Sequence, residues 1–456
     1  MFTVKSMENL LRDEIIQRRE EGCSVDAIEA KFKALGADAP GRPKALSDAE
    51  RLKQLERLYA QLERLYAQLD RKRPRRSLAG NEPSDLAGIR ALRPEGPRRL
   101  ALGLSDAECR DRILGAWLGR AAGCLLGKPC EGWKREKIEA YLKLANAYPL
   151  DNYWPVAAAE TDDLKLGGEA KKHMTRGNVT FMYRDDDMDY TVLGLHLLEK
   201  FGREFTPRNV ADTWLLTLPY HMTYTAERVA YRNFVAEAWP PESATRRNPY
   251  REWIGAQIRC DGFGYAAPGN MELAADFAWR DASISHVKNG IYGEMFCAAM
   301  IAAAFTTDDV REVVRLGLSE IPAKCRLATA AKNVLQWAKR AKSWQQTHDL
   351  IMKEYGTYHP VHTINNAAIV LMALLHGEGD YEKTISIAVM GGLDTDCNGA
   401  TAGSILGAMA GASKLPQAKW TAPFNDTLKS AVIGFDNSRF SDLASRTLAV
   451  AKKIGG

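Results

Sequence analysis

Two groups of acids hold the residues best suited to chemistry. Asp394 and Asp396 stand one residue apart in Gly391-Gly392-Leu393-Asp394-Thr395-Asp396-Cys397-Asn398-Gly399. An apolar run, Thr384 to Met390, precedes them, and mostly small residues follow as far as Gly411. Acids at a glycine-flanked break between such segments must be paired, hydrogen-bonded or bound to a cation, because a lone buried charge is very costly. Roughly two hundred residues upstream, Asp185-Asp186-Asp187 opens a segment that continues through Asp189 into an apolar helical pattern. Glu131, in the turn Gly127-Lys128-Pro129-Cys130-Glu131-Gly132-Trp133, is a third candidate acid.

If these acids converge, each close pair repels by roughly 4 kcal/mol at 4 Å and an effective dielectric near 20. Convergence therefore requires divalent cations or protonated carboxyls. Apart from Cys397 the donors are all oxygens, which selects Mg2+, Mn2+ or Ca2+ over zinc. Adjacent acids on one side and Asp-x-Asp on the other suit a pair of ions about 3.5–4 Å apart. The competing reading makes the aspartates helix caps and a turn, a role that needs one or two of the three at 185–187.

The elements that must position these acids read as helices. Period-3.6 patterns cover 208–218, 224–236, 271–282, 289–305, 307–319, 323–342, 345–355, 363–376, 381–390, 400–412 and 425–453, and clear period-two strands are missing. The expected fold is an all-α multi-helix bundle with long loops around 150–183 and 239–270. Gly115, Gly119 and Gly123 recur four apart in an apolar helical pattern. Each costs about 1 kcal/mol in a helix interior, so another helix or a ligand must come close. Gly262-Phe263-Gly264-Tyr265 is expected to be a flexible loop whose backbone N–H groups approach an anionic ligand.

Three regions are expected. Residues 1–72 form a helical extension, 73–104 a basic Pro/Gly-rich linker and 105–456 the catalytic domain. In the extension, residues 7–34 read as helical, with Ser24 as a cap. The heptad Gln54-Leu55-Glu56-Arg57-Leu58-Tyr59-Ala60 then repeats unchanged at 61–67, and Leu55, Leu58, Leu62, Leu65 and Leu69 form a coiled-coil seam too short to stand alone. Its partner is the catalytic domain, a second copy or another protein. Arg71-Lys72-Arg73-Pro74-Arg75-Arg76 has no interleaved aromatics and reads as a solvated linker, so nucleic acid is not the expected partner.

Composition adds bounds. The 456 residues carry 62 Lys and Arg against 57 Asp and Glu, a net charge of +5 that names no partner by itself. Eight cysteines without a Cys-x-x-Cys pair read as reduced core cysteines. The first residues lack an apolar signal core, and no run reaches the 18 or so apolar residues of a membrane helix. A cytoplasmic protein is expected.

The chain resembles the ADP-ribosylglycohydrolase family from about residue 108 to its end. Arg112-Ile113-Leu114-Gly115-Ala116-Trp117-Leu118-Gly119 through Gly127-Lys128-Pro129-Cys130-Glu131 is similar to the family's first helix and its Gly-x-Pro-x-Glu turn. Asp185-Asp186-Asp187-Met188-Asp189-Tyr190 stands where the family has Thr-Asp-Asp-Thr-x-Met, and Gly391 to Gly411 resembles its Gly-Gly-Asp-Thr-Asp-Thr helix opening. Ser285-His286 resembles its Thr-His pair. Five departures stand out: Asp185 for Thr, Leu393 inserted before Asp394, Cys397 for a metal-ligating Thr, Cys124 where an Asp commonly follows Gly, and a 261–268 loop without the family's Asn-Gly-x-x-Met-Arg wording.

The resemblance implies an orthogonal all-α bundle with two Mg2+ or Mn2+ ions. The implied reaction is hydrolysis of the glycosidic bond at the anomeric carbon of ADP-ribose, attached to a modified protein or a small acceptor. It implies metal ligands at Asp186, Asp187, Asp394 and Asp396, with Asp185 and Cys397 beside them. Glu131, Asp187 and Asp394 are the implied catalytic acids. His286, Asn398 and the segment Gly262, Phe263, Gly264 and Tyr265 are expected to line the substrate cleft. The ions would grip the ribose 2′- and 3′-hydroxyls and position a water, Glu131 or an Asp would take its proton, and the transition state would be oxocarbenium-like. The alternatives are a glycosidase for a nucleoside-like or simple sugar substrate, and a non-catalytic ADP-ribose-binding or structural protein on the same fold.

Overall fold

Two glycine-rich helices lie back to back at the centre of the molecule. The computed structural model describes residues 4–35, 46–71 and 78–455, and among these residues it has 21 α-helices and one two-stranded sheet. The first central helix, Asp106–Gly127, starts on a capping box in which Ser105 and Glu108 satisfy each other's backbone N–H. The second, Thr395–Ala410, runs antiparallel to it. Gly115 faces Gly407, Gly119 faces Gly403, Gly123 faces Gly399 and Gly127 faces Thr395, and a Cβ on any of these four glycines would overlap the facing backbone. The close approach expected from the four-residue spacing is thus another helix.

That pairing fixes the site. The antiparallel register sets the end of the first helix against the start of the second, so the Lys128–Glu131 turn lies over Asp394 and Asp396. Two backbone hydrogen bonds hold it there, Gly132 N–H to Leu393 O at 2.9 Å and Leu393 N–H to Trp133 O at 3.0 Å. Gly392 and Leu393 both have positive φ, +76° and +66°; at Gly392 a side chain would also meet the Trp133 carbonyl. The helix Asp186–Phe201 supplies the third wall and is tied to the first helix through Arg120.

Several elements differ from expectation. The second central helix starts at Thr395 rather than near 400, so Asp396, Cys397 and Asn398 occupy its first turn. Residues 261–266 are a buried helix, Asp261–Ala266, and not a flexible loop. Its glycines serve packing: Gly262 lies against the backbone of Thr191 and Gly194, and Gly264 against Ile301. The stretch before the last helix is an antiparallel pair, Thr427–Lys429 with Asn437–Arg439, and the helix itself spans Phe440–Ile454. Asn425 and Asp426, both at positive φ, stop helix growth there.

The N-terminal helices Val4–Glu20, Asp26–Leu35 and Asp48–Arg71 share a small core of Met7, Leu10, Leu11, Ile15, Val25, Ile28, Leu55, Leu58 and Tyr59. The first half of the heptad seam therefore packs within the extension. The side chains of Leu62, Leu65 and Leu69, and the basic run from Lys72 to Arg76, lie outside the described residues. From Glu82 onward the expected linker is packed on the main body. Ile89 is fully buried, Trp279 Nε1 donates to Ser84 O at 2.9 Å, and Arg93 pairs with Glu272 and Glu320.

Candidate active site

Lys128 stands among three carboxylates drawn from three segments. Its Nζ lies 3.0 Å from Glu131 Oε2, 2.9 Å from Asp185 Oδ2 and 3.1 Å from Asp396 Oδ2. Burial alone would lower the lysine pKa, but the three acids outweigh it and hold the ammonium charged. The same ammonium overcomes the burial of Asp185 and keeps that carboxylate ionised. Asp185 also caps its helix, its Oδ1 accepting from Asp187 N–H at 3.0 Å.

Behind this group Arg120, fully buried, joins two more acids. It reaches Asp187 Oδ1 and Asp261 Oδ2, both at 2.8 Å, and donates to the carbonyls of Asp187 and Ile258. Asp187 is thus half committed to a fixed guanidinium. Asp189 belongs to the scaffold: Arg184, Ser430 and the Ala431 N–H hold its carboxylate.

Three sets of ligand atoms come within 4.8 Å of one another: Cys124, Asp185 and Asp187; Asp187, Asp396 and Cys397; and Glu131, Asp394 and Asp396. Asp186 stands outside all three. Burial, with the charge of neighbouring acids, pushes Asp186, Asp187 and Asp394 well above the usual carboxylate range. Two fixed cations therefore do not balance this cluster. Asp396 Oδ1 is buried with no hydrogen-bond partner. An oxygen-rich, under-neutralised cluster with an orphaned carboxylate oxygen fits a hard divalent ion. Burial first, then Asp187 and Asp394, push the Cys397 thiol up, and a protonated thiol offers Mg2+ little.

The other expected residues lie in varied places. Asn398 joins the floor of the site, donating to Asn366 Oδ1 at 2.9 Å, which in turn accepts the Asp394 N–H at 3.1 Å. His286 is buried elsewhere, its Nδ1 2.8 Å from Ser285 Oγ and its Nε2 4.0 Å from Glu227 Oε1. It lines a cavity of about 880 Å³ with Trp239, Pro240, Trp279 and Lys288, and none of the acids of the cluster lines that cavity. Phe263 stacks on Phe205, and Tyr265 OH lies 2.7 Å from Ser404 Oγ. Both rings are buried, which leaves them no face for a ligand to stack on. Outside the expected residues, Tyr358 stacks on His362, and His359 on Trp253, beneath the N-terminal helix.

Lys128 and Arg120 were missed as site residues. A lysine in a Pro/Gly turn reads as solvated, yet it stands three residues before Glu131, close enough to pair with it. Arg120 had a stronger signal, since a lone arginine among Gly119, Ala121 and Ala122 on an apolar helix must find a buried acid.

Among curated proteins no match was found. A solved structure titled "ADP-ribosylglycohydrolase-related protein complex" is 20% identical, with a TM-score of 0.49, over 76% of this chain and 99% of that one. The family model for ADP-ribosylglycohydrolase matches residues 105–453. The protein therefore belongs to the ADP-ribosylglycohydrolase family, a family of hydrolases acting on glycosidic bonds.

Proposed function

We propose that the protein is a cation-dependent hydrolase of the bond between the anomeric carbon of ADP-ribose and an acceptor. The observation that carries this reading is the meeting of Glu131, Asp394 and Asp396 within 4.8 Å, beside Asp187. Asp187, Asp394 and Asp396 would hold a divalent ion, Mg2+ or Mn2+; the resemblance implies two such ions. When bound, a divalent ion supplies Lewis-acid polarisation and a bound water of lowered pKa.

Glu131 suits proton transfer. Its side chain is 51% exposed, so substrate can reach it, and Lys128 orients it. The charge of Asp396 first, then burial, push its pKa up to about 7 against the opposing pull of Lys128. An exposed carboxylate that Lys128 holds beside Asp394 and Asp396 can take a proton from a nucleophilic water and return it. The surrounding carboxylates favour the positive charge that develops on the sugar in an oxocarbenium-like transition state.

The test is release of ADP-ribose from ADP-ribosyl-arginine, O-acetyl-ADP-ribose and a simple riboside, each with Mn2+ and with EDTA. Mn2+-dependent hydrolysis of an ADP-ribose conjugate is expected. Hydrolysis of the riboside alone would move the substrate to simple glycosides, and inertness toward all three would overturn the reading.

A further inference from the structure

The Lys128 ammonium sits where a cation belongs. It lies 2.9 to 3.1 Å from Asp185, Glu131 and Asp396, and an ammonium has three N–H donors and no acceptor. The position is fixed from below. Lys128 caps the first central helix, its N–H donating to Cys124 O. Pro129 follows it, and Gly127 before it is pressed on the backbone of Thr395. Asp396 faces two ways: Oδ2 bonds Lys128, while Oδ1 is buried without a partner. Asp396 also lies in a ligand set with Asp187 and Cys397. Lys128 thus closes Oδ2 of Asp396, while Oδ1 carries no N–H donor.

We propose that Lys128 is a built-in cation that takes one of two cation places, so that the site binds a single hard divalent ion. This rests on the reading of the acid cluster as a metal centre, and it concerns the number of ions rather than the bond cleaved. A second ion sharing Asp396 Oδ2 would stand beside the ammonium and be repelled by it. Removing the ammonium while keeping the apolar stem would open that place.

The experiment is Mn2+ binding to the EDTA-stripped full-length chain, by equilibrium dialysis with electron paramagnetic resonance. The wild type is expected to bind one Mn2+ per chain with the spectrum of an isolated ion. Lys128→Met is expected to bind two, with the spectrum of a coupled pair, and Lys128→Arg to bind one. The melting temperature of Lys128→Met should also rise more on Mn2+ addition than that of the wild type. Lys128→Gln is read in the same way where Lys128→Met does not fold. Two ions in the wild type, or an unchanged count in both neutral variants, overturns the proposal. The hydrolysis assay separates the two claims: one ion with no turnover of any conjugate leaves the lysine's role standing and removes the function, whereas two ions with turnover does the reverse.

Discussion

At the scale of residues the site is a cluster of acids that two fixed cations neutralise only in part. Arg120 is the costlier to remove, because it alone joins Asp187 and Asp261 deep in the core. Arg120→Met keeps most of the volume and leaves two buried acids without a counter-ion. A loss of about 3–5 kcal/mol in unfolding free energy is expected, read from the urea midpoint; a loss under about 1 kcal/mol would show that the pair is not needed. The acids were legible in the sequence because carboxyls between glycines and apolar runs have few other uses. Their lysine partner was not, since nothing in a Gly-Lys-Pro turn tells a solvated charge from a seated one. His286 shows the opposite failure: its spacing from a neighbouring hydroxyl was readable, but which cavity it lines depends on how distant helices cross.

At the scale of elements the central helix pair sets the geometry. The four-residue glycine period announced a close approach, but not the partner, because small residues at 399, 403 and 407 are equally consistent with a loop or a ligand cleft. Packing also decides where the second helix begins. Thr395 to Gly399 are poor helix formers, yet Thr395 Oγ1 bonds Gly127 O at 2.8 Å and Asn366 accepts the Asp394 N–H, which starts the helix early and seats Asp396 in its first turn. Gly262 to Tyr265 misled in the same way: the glycines looked like flexibility and are close packing. Gly123→Ala drives a methyl into the Gly399 carbonyl. It is expected to cost about 3 kcal/mol or more and to lower metal affinity in what still folds. Wild-type stability and metal binding in this variant would contradict the account of the pair.

At the scale of the whole molecule the N-terminal helices are bound to the main body by buried charge. Arg251 pairs with Glu14 and Glu21, Gln17 donates to Glu252, and Glu20 accepts the His359 N–H at 2.7 Å. The mixed charges along residues 12–21 gave no sign of this, since such a pattern suits a solvated face equally well. Burial lifts Glu20 to about 7 from 4.5, with the His359 hydrogen bond opposing. The folded chain thus holds this proton more tightly than the unfolded one. Its contribution to stability is full below pH 4.5 and is lost as pH climbs through about 7. Glu20→Gln removes that loss, and should be more stable than the wild type by about 1–3 kcal/mol at pH 8 and equal to it at pH 4. Thermal melts at the two pH values check this, and a less stable variant at pH 8 would contradict it.

The central claim is that acids from distant parts of the chain form one cation-dependent hydrolytic centre. The direct measurement is the rate of ADP-ribose release from ADP-ribosyl conjugates by EDTA-stripped protein before and after Mn2+ is restored, for the wild type and for Asp396→Asn. The account predicts activity that returns with Mn2+ in the wild type and is lost in Asp396→Asn at unchanged helicity. Full turnover in EDTA, or an Asp396→Asn enzyme as fast as the wild type, would contradict it.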